Sequence, residues 1–526
     1  MSRHPSIARA AGAVSLATGM SRVLGLAREM TMAALFTRAE TDAFIAAFKI
    51  PNLLRDLLAE GALSSAFVPT YAETLERRGR AAAFRLASSV LNALAVVTGL
   101  FALTVIAFAR WYALSVAYWF PAEKLELTAR LGQIMSPFLV TVSLAAVLMG
   151  LGNVHGRFFV PALAPALFNV GVLAGGWLLA PRLAEHGWPA VTGLAAGAVL
   201  GGLLQLAAQI PGVARDGYRH RAVLDLSDPA FRQIMARLAP AMFAVAATYL
   251  NVLVDNQLAS YFGEGPVSYL FFAFRLWMLP IGLFGVAIAT ANLAGVSRDL
   301  ARNDRDRFRS TLATSIRMTL LLTVPAAAAL IALGVPIVRV VYEHMRFGPA
   351  DTRATAEVLA LYAVGLPGYA LVKVFVPTFY ALKDPWTPVR ISASVVLVKI
   401  ALNFAFIGPL AYGGLALATG IAAWVNAAWT GFRLRQMSGP LAGLSVGRAA
   451  TTALLSSAAM VAATLAVGRL GAWACPDRGF VGQAAVLALQ IAVGLAVVGA
   501  GVLVSGLPEA TRLRAAAGRW FGGRLR

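Results

Sequence analysis

Apolar stretches of helix length recur from one end of this chain to the other, and that recurrence limits the fold more than any other feature. A bilayer core about 30 Å thick needs roughly 20 mostly apolar residues of helix to cross it. Fourteen candidate spans can be drawn, near 8–37, 41–71, 82–109, 127–152, 159–181, 189–211, 236–262, 267–297, 310–334, 354–381, 388–409, 412–435, 447–470 and 481–505. The connections between them are short, and with 59% hydrophobic residues little remains from which to build a water-soluble domain. The expected fold is an all-α polytopic membrane protein.

Basic residues set the expected orientation, since Lys and Arg accumulate on the cytoplasmic side. A cytoplasmic N-terminus puts Arg77, Arg78, Arg80, Arg215, Arg219, Arg221, Arg302, Arg305, Arg307, Arg309, Arg512 and Arg514 inside, and with them both termini. The net charge of +21 then reads as a topology signal and as attraction to anionic headgroups, in preference to nucleic-acid binding. Arg3 and Arg9 before a short apolar run resemble a secretory signal, but that run continues through Arg22 into a longer helix with no clean cleavage site. Cys475 is a single cysteine, which permits neither an internal disulfide nor a cysteine metal cluster.

Residues 19–71 break the apolar rule. Two helix-period segments there carry Arg22, Arg28, Glu29, Asp42, Lys49, Asn52, Arg55, Asp56 and Glu60. A lipid-facing charge at mid-helix costs about 2.5–3.5 kcal/mol even on the lenient insertion scale, so these groups are expected to face a wet interior. Residues seven apart lie about 20° apart on a helix. Arg22 therefore stacks with Glu29, Ser21 with Arg28, and Asp42, Lys49 and Asp56 form one stripe. Pro51 removes a backbone donor and invites a kink, and Gly19 and Gly25 loosen the first helix. A cation-rich cavity face follows; the alternative is a set of structural ion pairs, against which stands the excess of bases over acids.

An internal repeat appears at an offset of 226 residues. It lays Ala47-Phe48-Lys49-Ile50 on Ala273-Phe274-Arg275-Leu276, Glu29 on Asp255 and Arg157 on Lys383, and it carries spans two to six onto eight to twelve. An offset of six helices keeps the same orientation. The expectation is two six-helix lobes, 1–225 and 226–440, around a central cavity, with 441–526 holding two further helices and a basic tail. In the second lobe Arg275 is the repeat partner of Lys49. Asp255, Lys399 and Asn403 form another polar group, readable as a buried ion pair or as a functional one, and Lys373 lies in span ten.

Several chemistries lack their residues. There is no phosphate loop of the G-x-x-x-x-G-K-[ST] type, no nucleophile elbow, and no metal-ligand spacing among His4, His155, His186, His220 and His344. The intramembrane charges thus read as substrate and ion contacts, not as a catalytic apparatus, and no metal or cofactor is expected. Arginine's planar fork suits bidentate phosphate binding, so Arg22, Arg28, Arg55 and Arg275, with Lys49 nearby, suit a strongly anionic group such as a diphosphate. The residues alone give a transporter of an anionic amphiphile.

The segments SRVLGLARE, TDAFIAAFKIPNLLRDLLAEGALSSAFVP and FYALKDPWTPV resemble the MurJ (MviN) family of bacterial lipid II flippases, in the MOP exporter superfamily, and the likeness covers nearly the whole chain. The resemblance implies an inner-membrane protein that moves lipid II, an undecaprenyl-diphosphate disaccharide-peptide, to the periplasmic leaflet for peptidoglycan synthesis by alternating access. Ser21, Arg22, Arg28, Asp42, Asn52, Arg55, Glu60 and Arg275 match polar positions of the family's cavity and gate. Substrate binding is thereby assigned to Arg22, Arg28, Lys49, Asn52, Arg55 and Arg275, and gating to Ser21, Glu29, Asp42 and Glu60. Glu29 stands where Asp is frequent, and Phe274 replaces an acid that precedes the arginine in some relatives. The family also implies a groove for the polyprenyl tail at spans thirteen and fourteen, and in some members a sodium ion, whose matching places are Asp255, Asn403 and Thr419. Lys399 stands one turn before Asn403, where a neutral ligand is expected. Implied too are driving by membrane potential or an ion gradient, and lipid II, anionic membrane lipids and other cell-wall synthesis proteins as partners. The competing readings are an exporter of drugs or of other lipid-linked sugars, a polyprenyl-phosphate enzyme, and a non-transporting scaffold.

Overall fold

The structure is a computed structural model describing residues 7–59, 62–440, 445–474 and 479–511. Every regular element among these residues is helical. Contacts divide the chain into two compact units, Met1–Ser268 and Tyr269–Arg526.

The first unit holds α1 (Ile7–Leu35), α2 (Arg38–Ala59), α3 (Ala62–Ala107), α4 (Ala109–Ala117), α5 (Ala122–Met135), α6 (Pro137–Val154), α7 (Phe159–Ala174), α8 (Ala180–Glu185), α9 (Thr192–Arg215) and α10 (Pro229–Ser260). Helix α2 runs on through Pro51. Helix α3 is broken at Gly79, whose φ of 79° and ψ of 176° are open to glycine at no steric cost. The expected second span, 41–71, is divided between α2, which ends at Ala59, and the start of α3 at Ala62. A π-helical turn, Gly175–Leu179, joins α7 to α8. There α7 lies so close to α9 that a Cβ on Gly171 or Gly175 would collide with the backbone of Gly201 or Gly193. The core is Leu63, Phe67, Leu86, Val90, Leu151 and Ile234, from α3, α6 and α10.

The second unit takes in most of α11 (Pro266–Pro280) and then α12 (Val286–Ala301), α13 (Arg305–Ala332), α14 (Gly334–Tyr342), α15 (Pro349–Ala363), α16 (Leu366–Ala381), α17 (Trp386–Leu410), α18 (Gly413–Ser438), α19 (Val446–Ala474) and α20 (Phe480–Val504). A π-helical turn, Ile281–Gly285, separates α11 from α12. Val296, Phe308, Leu312, Val374 and Phe379 form its main core. Helix α19 packs on α20 and on α13, burying Leu321, Ala449, Ala453 and Val502. Beyond α20, Glu509 accepts from Arg317 Nε at 2.9 Å, both side chains being buried.

Among the described residues ten helices are long and apolar enough to cross a membrane, and the bent pair α15–α16, at 44°, makes an eleventh. Fourteen spans were expected from the sequence. Helix α2, with Arg38, Glu40, Asp42, Lys49, Arg55 and Asp56, is too polar to pass on composition, although it is continuous. The repeat is visible in the element order. The nine-residue helices α4 and α14, which hydropathy alone does not reveal, stand one repeat length apart. The break at Gly79 has its counterpart between α12 and α13, where Asn303 adopts φ 54°.

Candidate functional site

Three helices of the first unit build a polar cluster around one aromatic ring. Helix α1 brings Ser21, Arg28 and Glu29, α2 brings Asn52, Arg55 and Asp56, and α7 brings Phe168 and Asn169. Arg28 donates from Nη1 to Asn169 Oδ1 at 3.1 Å and from Nη2 to Glu29 Oε1 at 3.1 Å. Asn169 donates in turn to the Ser21 carbonyl at 3.1 Å, fixing the amide by its second end. On α2, Arg55 donates twice to Asp56 Oδ1, at 3.1 and 2.8 Å, and Asn52 donates to Asp56 Oδ2 at 3.3 Å.

Phe168 joins the two halves. The Arg28 guanidinium carbon lies 5.8 Å and that of Arg55 5.6 Å from the centre of its ring. The ring itself is buried, stacked on Phe48 at 5.7 Å and tilted against Phe138 at 5.2 Å. Each contact of this kind contributes about 0.5–2 kcal/mol, more where water is excluded. Two cations on one ring repel each other, and the adjoining carboxylates of Glu29 and Asp56 offset that repulsion. Carboxylate and phosphate oxygens are both acceptors for a guanidinium, so the arrangement is chemically open to an anion other than these carboxylates.

A second cluster lies around Asp42, whose side chain is 0% exposed. Its carboxylate accepts from Lys124 Nζ at 2.6 Å, the Gly265 N–H at 2.7 Å, the Ser268 N–H at 2.7 Å and Ser268 Oγ at 2.5 Å. Lys124 also donates to the Gly263 carbonyl at 3.0 Å and stands 4.0 Å from the Phe120 ring centre. This carboxylate ties α2, α5, the loop 263–265 and Ser268 at the start of α11 into one knot.

The pairing differs from the seven-residue stacking expected from sequence. Glu29 pairs with Arg28 and not with Arg22, which is exposed. On the continuous α2 Asp42 stays in line with Lys49 and Asp56, while α5 supplies Lys124 to its carboxylate and Asp56 accepts from Arg55. Lys49 is half-buried, and Glu60 lies outside the described residues, as does Cys475. Asp255 is half-buried on α10. In the second unit Arg275 is half-buried, 5.1 Å from the Phe271 ring centre. Lys399 and Asn403 are both buried on α17, and Thr419 on α18 donates to the Leu415 carbonyl at 2.9 Å.

Sequence reasoning missed Phe168, Asn169, Lys124 and Ser268. Asn169 carried a signal, being the one polar residue in the sixteen of α7, and a lone amide in an apolar span needs a partner. Lys124 sits at the polar start of α5 and carried none. Among the described residues no group of three or more His, Cys, Asp or Glu is placed to hold a metal ion.

Residues 32–476 match the family described as lipid II flippase MurJ. The lipid II flippase MurJ of Burkholderia cenocepacia is 35% identical over 80% of this chain and 82% of its own length. A probable lipid II flippase MurJ of Vibrio cholerae is 35% identical over 79% and 80%. A solved lipid II flippase MurJ in an inward closed conformation superposes with a TM-score of 0.76 at 26% identity, covering 93% of this chain and 98% of that one. An inward-facing multidrug resistance MATE transporter of the MOP superfamily shares the fold, with a TM-score of 0.64 at 14% identity over 80% of this chain. By the extent of these matches, the chain belongs to the MurJ family of lipid II flippases.

Proposed function

We propose that this bacterial inner-membrane protein flips lipid II from the cytoplasmic to the periplasmic leaflet, with Arg28 and Arg55 as the principal diphosphate ligands and both termini in the cytoplasm. The observation that carries the reading is the convergence of these two arginines on the Phe168 ring, each held by a carboxylate that a phosphate can displace. Asn52 and Ser21 support the two ends of the cluster, and Arg22, Lys49 and Arg275 add cationic charge to the pathway. The lobes are taken as 1–225 and 226–440, with 441–526 apart from the repeat.

Gating follows from the same electrostatics. Glu29, Asp42 and Glu60 are assigned to hold cations or N–H groups in one state and release them in another, so that substrate phosphate shifts the populations through differential binding. The Asp42 knot supports this, because a buried carboxylate with four donors has a discrete made or broken state. Driving force is assigned to the membrane potential or an ion gradient, with no cofactor. Anionic lipids and other cell-wall synthesis proteins complete the proposed partners.

The test is growth. The gene should rescue cells depleted of their own lipid II flippase, whereas Arg28→Ala and Arg55→Ala should each abolish rescue while the protein stays in the membrane at near-normal amount. Full rescue by both variants would remove the arginines from the pathway; failure of the parent gene would overturn the function itself.

A further inference from the structure

At one end of the first unit, where α6 gives way to α7 and α9 ends, a half-open cavity of about 400 Å³ takes no part in the arginine cluster. Its walls are apolar, with Phe158 and Phe159 both substantially exposed at the rim. The floor is low because Gly152 and Gly212 lack side chains. The stem of Arg157 lies between them, its Cδ 3.6 Å from where a Cβ on Gly212 would stand.

Two cations line this apolar space. The Arg157 head is bidentate on Asp216, with Nε–Oδ2 at 2.9 Å and Nη2–Oδ1 at 2.7 Å, so that pair is neutral as a unit. Arg215, in the last turn of α9, is exposed and forms no ion pair among the described residues. The start of α7 opens on the same cavity without a side-chain cap, adding partial positive charge. Buried Gln209, also in the wall, donates to the Val160 carbonyl at 3.4 Å and holds that helix start to α9.

We infer that this cavity is a binding site for an anionic glycerophospholipid, with its phosphodiester at Arg215 and the outer edge of Arg157 and an acyl chain over Gly212. The position fits, since Arg157 falls between the end of one membrane-crossing helix at Val154 and the start of the next at Phe159, at headgroup depth. Charge decides between phosphate lipids. With the Arg157–Asp216 pair neutral, the residues lining the cavity carry a net cationic charge of one, which matches a single phosphodiester and falls short of a diphosphate. The site is therefore separate from the substrate's path, and the inference does not depend on what is transported.

Native mass spectrometry of the full-length protein in detergent, titrated with dioleoyl phosphatidylglycerol, tests it. One tightly retained lipid is expected, with dioleoyl phosphatidylcholine about tenfold weaker. Gly212→Leu fills the floor and meets only a flexible Arg157 stem, and Arg215→Glu reverses the unpaired charge. Each should weaken phosphatidylglycerol retention about tenfold or more, while millimolar inorganic phosphate should not displace the lipid. Equal retention by the parent and both variants would overturn the site. So would displacement by inorganic phosphate, or by undecaprenyl diphosphate at concentrations below those of phosphatidylglycerol, the latter reassigning the cavity to the substrate.

Discussion

Asp42 and Lys124 illustrate how a buried charge is tolerated in this protein. Desolvating one ion costs several kcal/mol, and here the carboxylate recovers it through an ammonium, two backbone N–H groups and a hydroxyl. Removing one partner leaves the other charged and buried, which typically costs about 3–5 kcal/mol. Asp42→Asn and Lys124→Met should each lower the thermal unfolding midpoint of the purified protein markedly, and the double variant should recover part of the loss. Strictly additive losses would show that the two groups do not act on each other. The Arg28 arrangement differs, because Asn169 is neutral and reaches the guanidinium as a hydrogen-bond acceptor. Asn169→Leu keeps the volume and removes that acceptor, so growth rescue should weaken while membrane level holds.

At the scale of elements, the connection from α9 to α10 is strapped to α3 by polar contacts. Arg78 pairs with Asp228, Arg85 with Asp225, Arg80 donates to the Asp216 carbonyl, and Asn92 donates to the carbonyls of Arg221 and Val223. His155, just past α6, sits beside this strap with Nε2 3.2 Å from the Tyr71 hydroxyl. Burial holds its pKa below the usual 6.5, and Arg80 and Arg157 push the same way while Asp216 opposes them. With the folded-state value depressed, the unfolded chain takes up the proton first as pH falls. The neutral imidazole's stability is thus complete above 6.5 and is lost as pH drops from there toward the folded value. Thermal unfolding at pH 7.5 and 5.5 should show an acid loss that His155→Gln reduces. An undiminished loss in the variant would place the acid sensitivity elsewhere.

For the whole molecule, energy coupling is directly testable. Lys399 and Asn403 lie one turn apart on α17, both buried, which holds an ammonium one turn from a neutral amide. A second cation beside a buried ammonium is unfavourable, so the Lys399 ammonium is expected to replace sodium dependence with dependence on membrane potential or protonation. Flipping measured with sodium replaced by a large organic cation should be nearly unchanged in the parent, and sodium dependence should emerge in Lys399→Asn. Strong loss in the unmodified protein would sink the built-in cation.

Helical content, the membrane class, the repeat and the family were legible in the sequence, because apolar run length, a fixed offset and motif spelling are one-dimensional quantities. The break in α3 was half-legible: Gly79 is visible, but its left-handed backbone is not. Partner choice at the site was not legible. The heptad spacing that put Arg22 over Glu29 is a rule for neighbours on one helix, and the further groups that hold Arg28 and Asp42 come from other helices: Asn169 from α7, Lys124 from α5 and Ser268 from the start of α11. The sequence by itself determined that charged residues must be sheltered inside this membrane protein. Only the tertiary structure decided with what each is paired, since a buried charge takes whichever donor or acceptor the packing brings within hydrogen-bond reach, however far away along the chain.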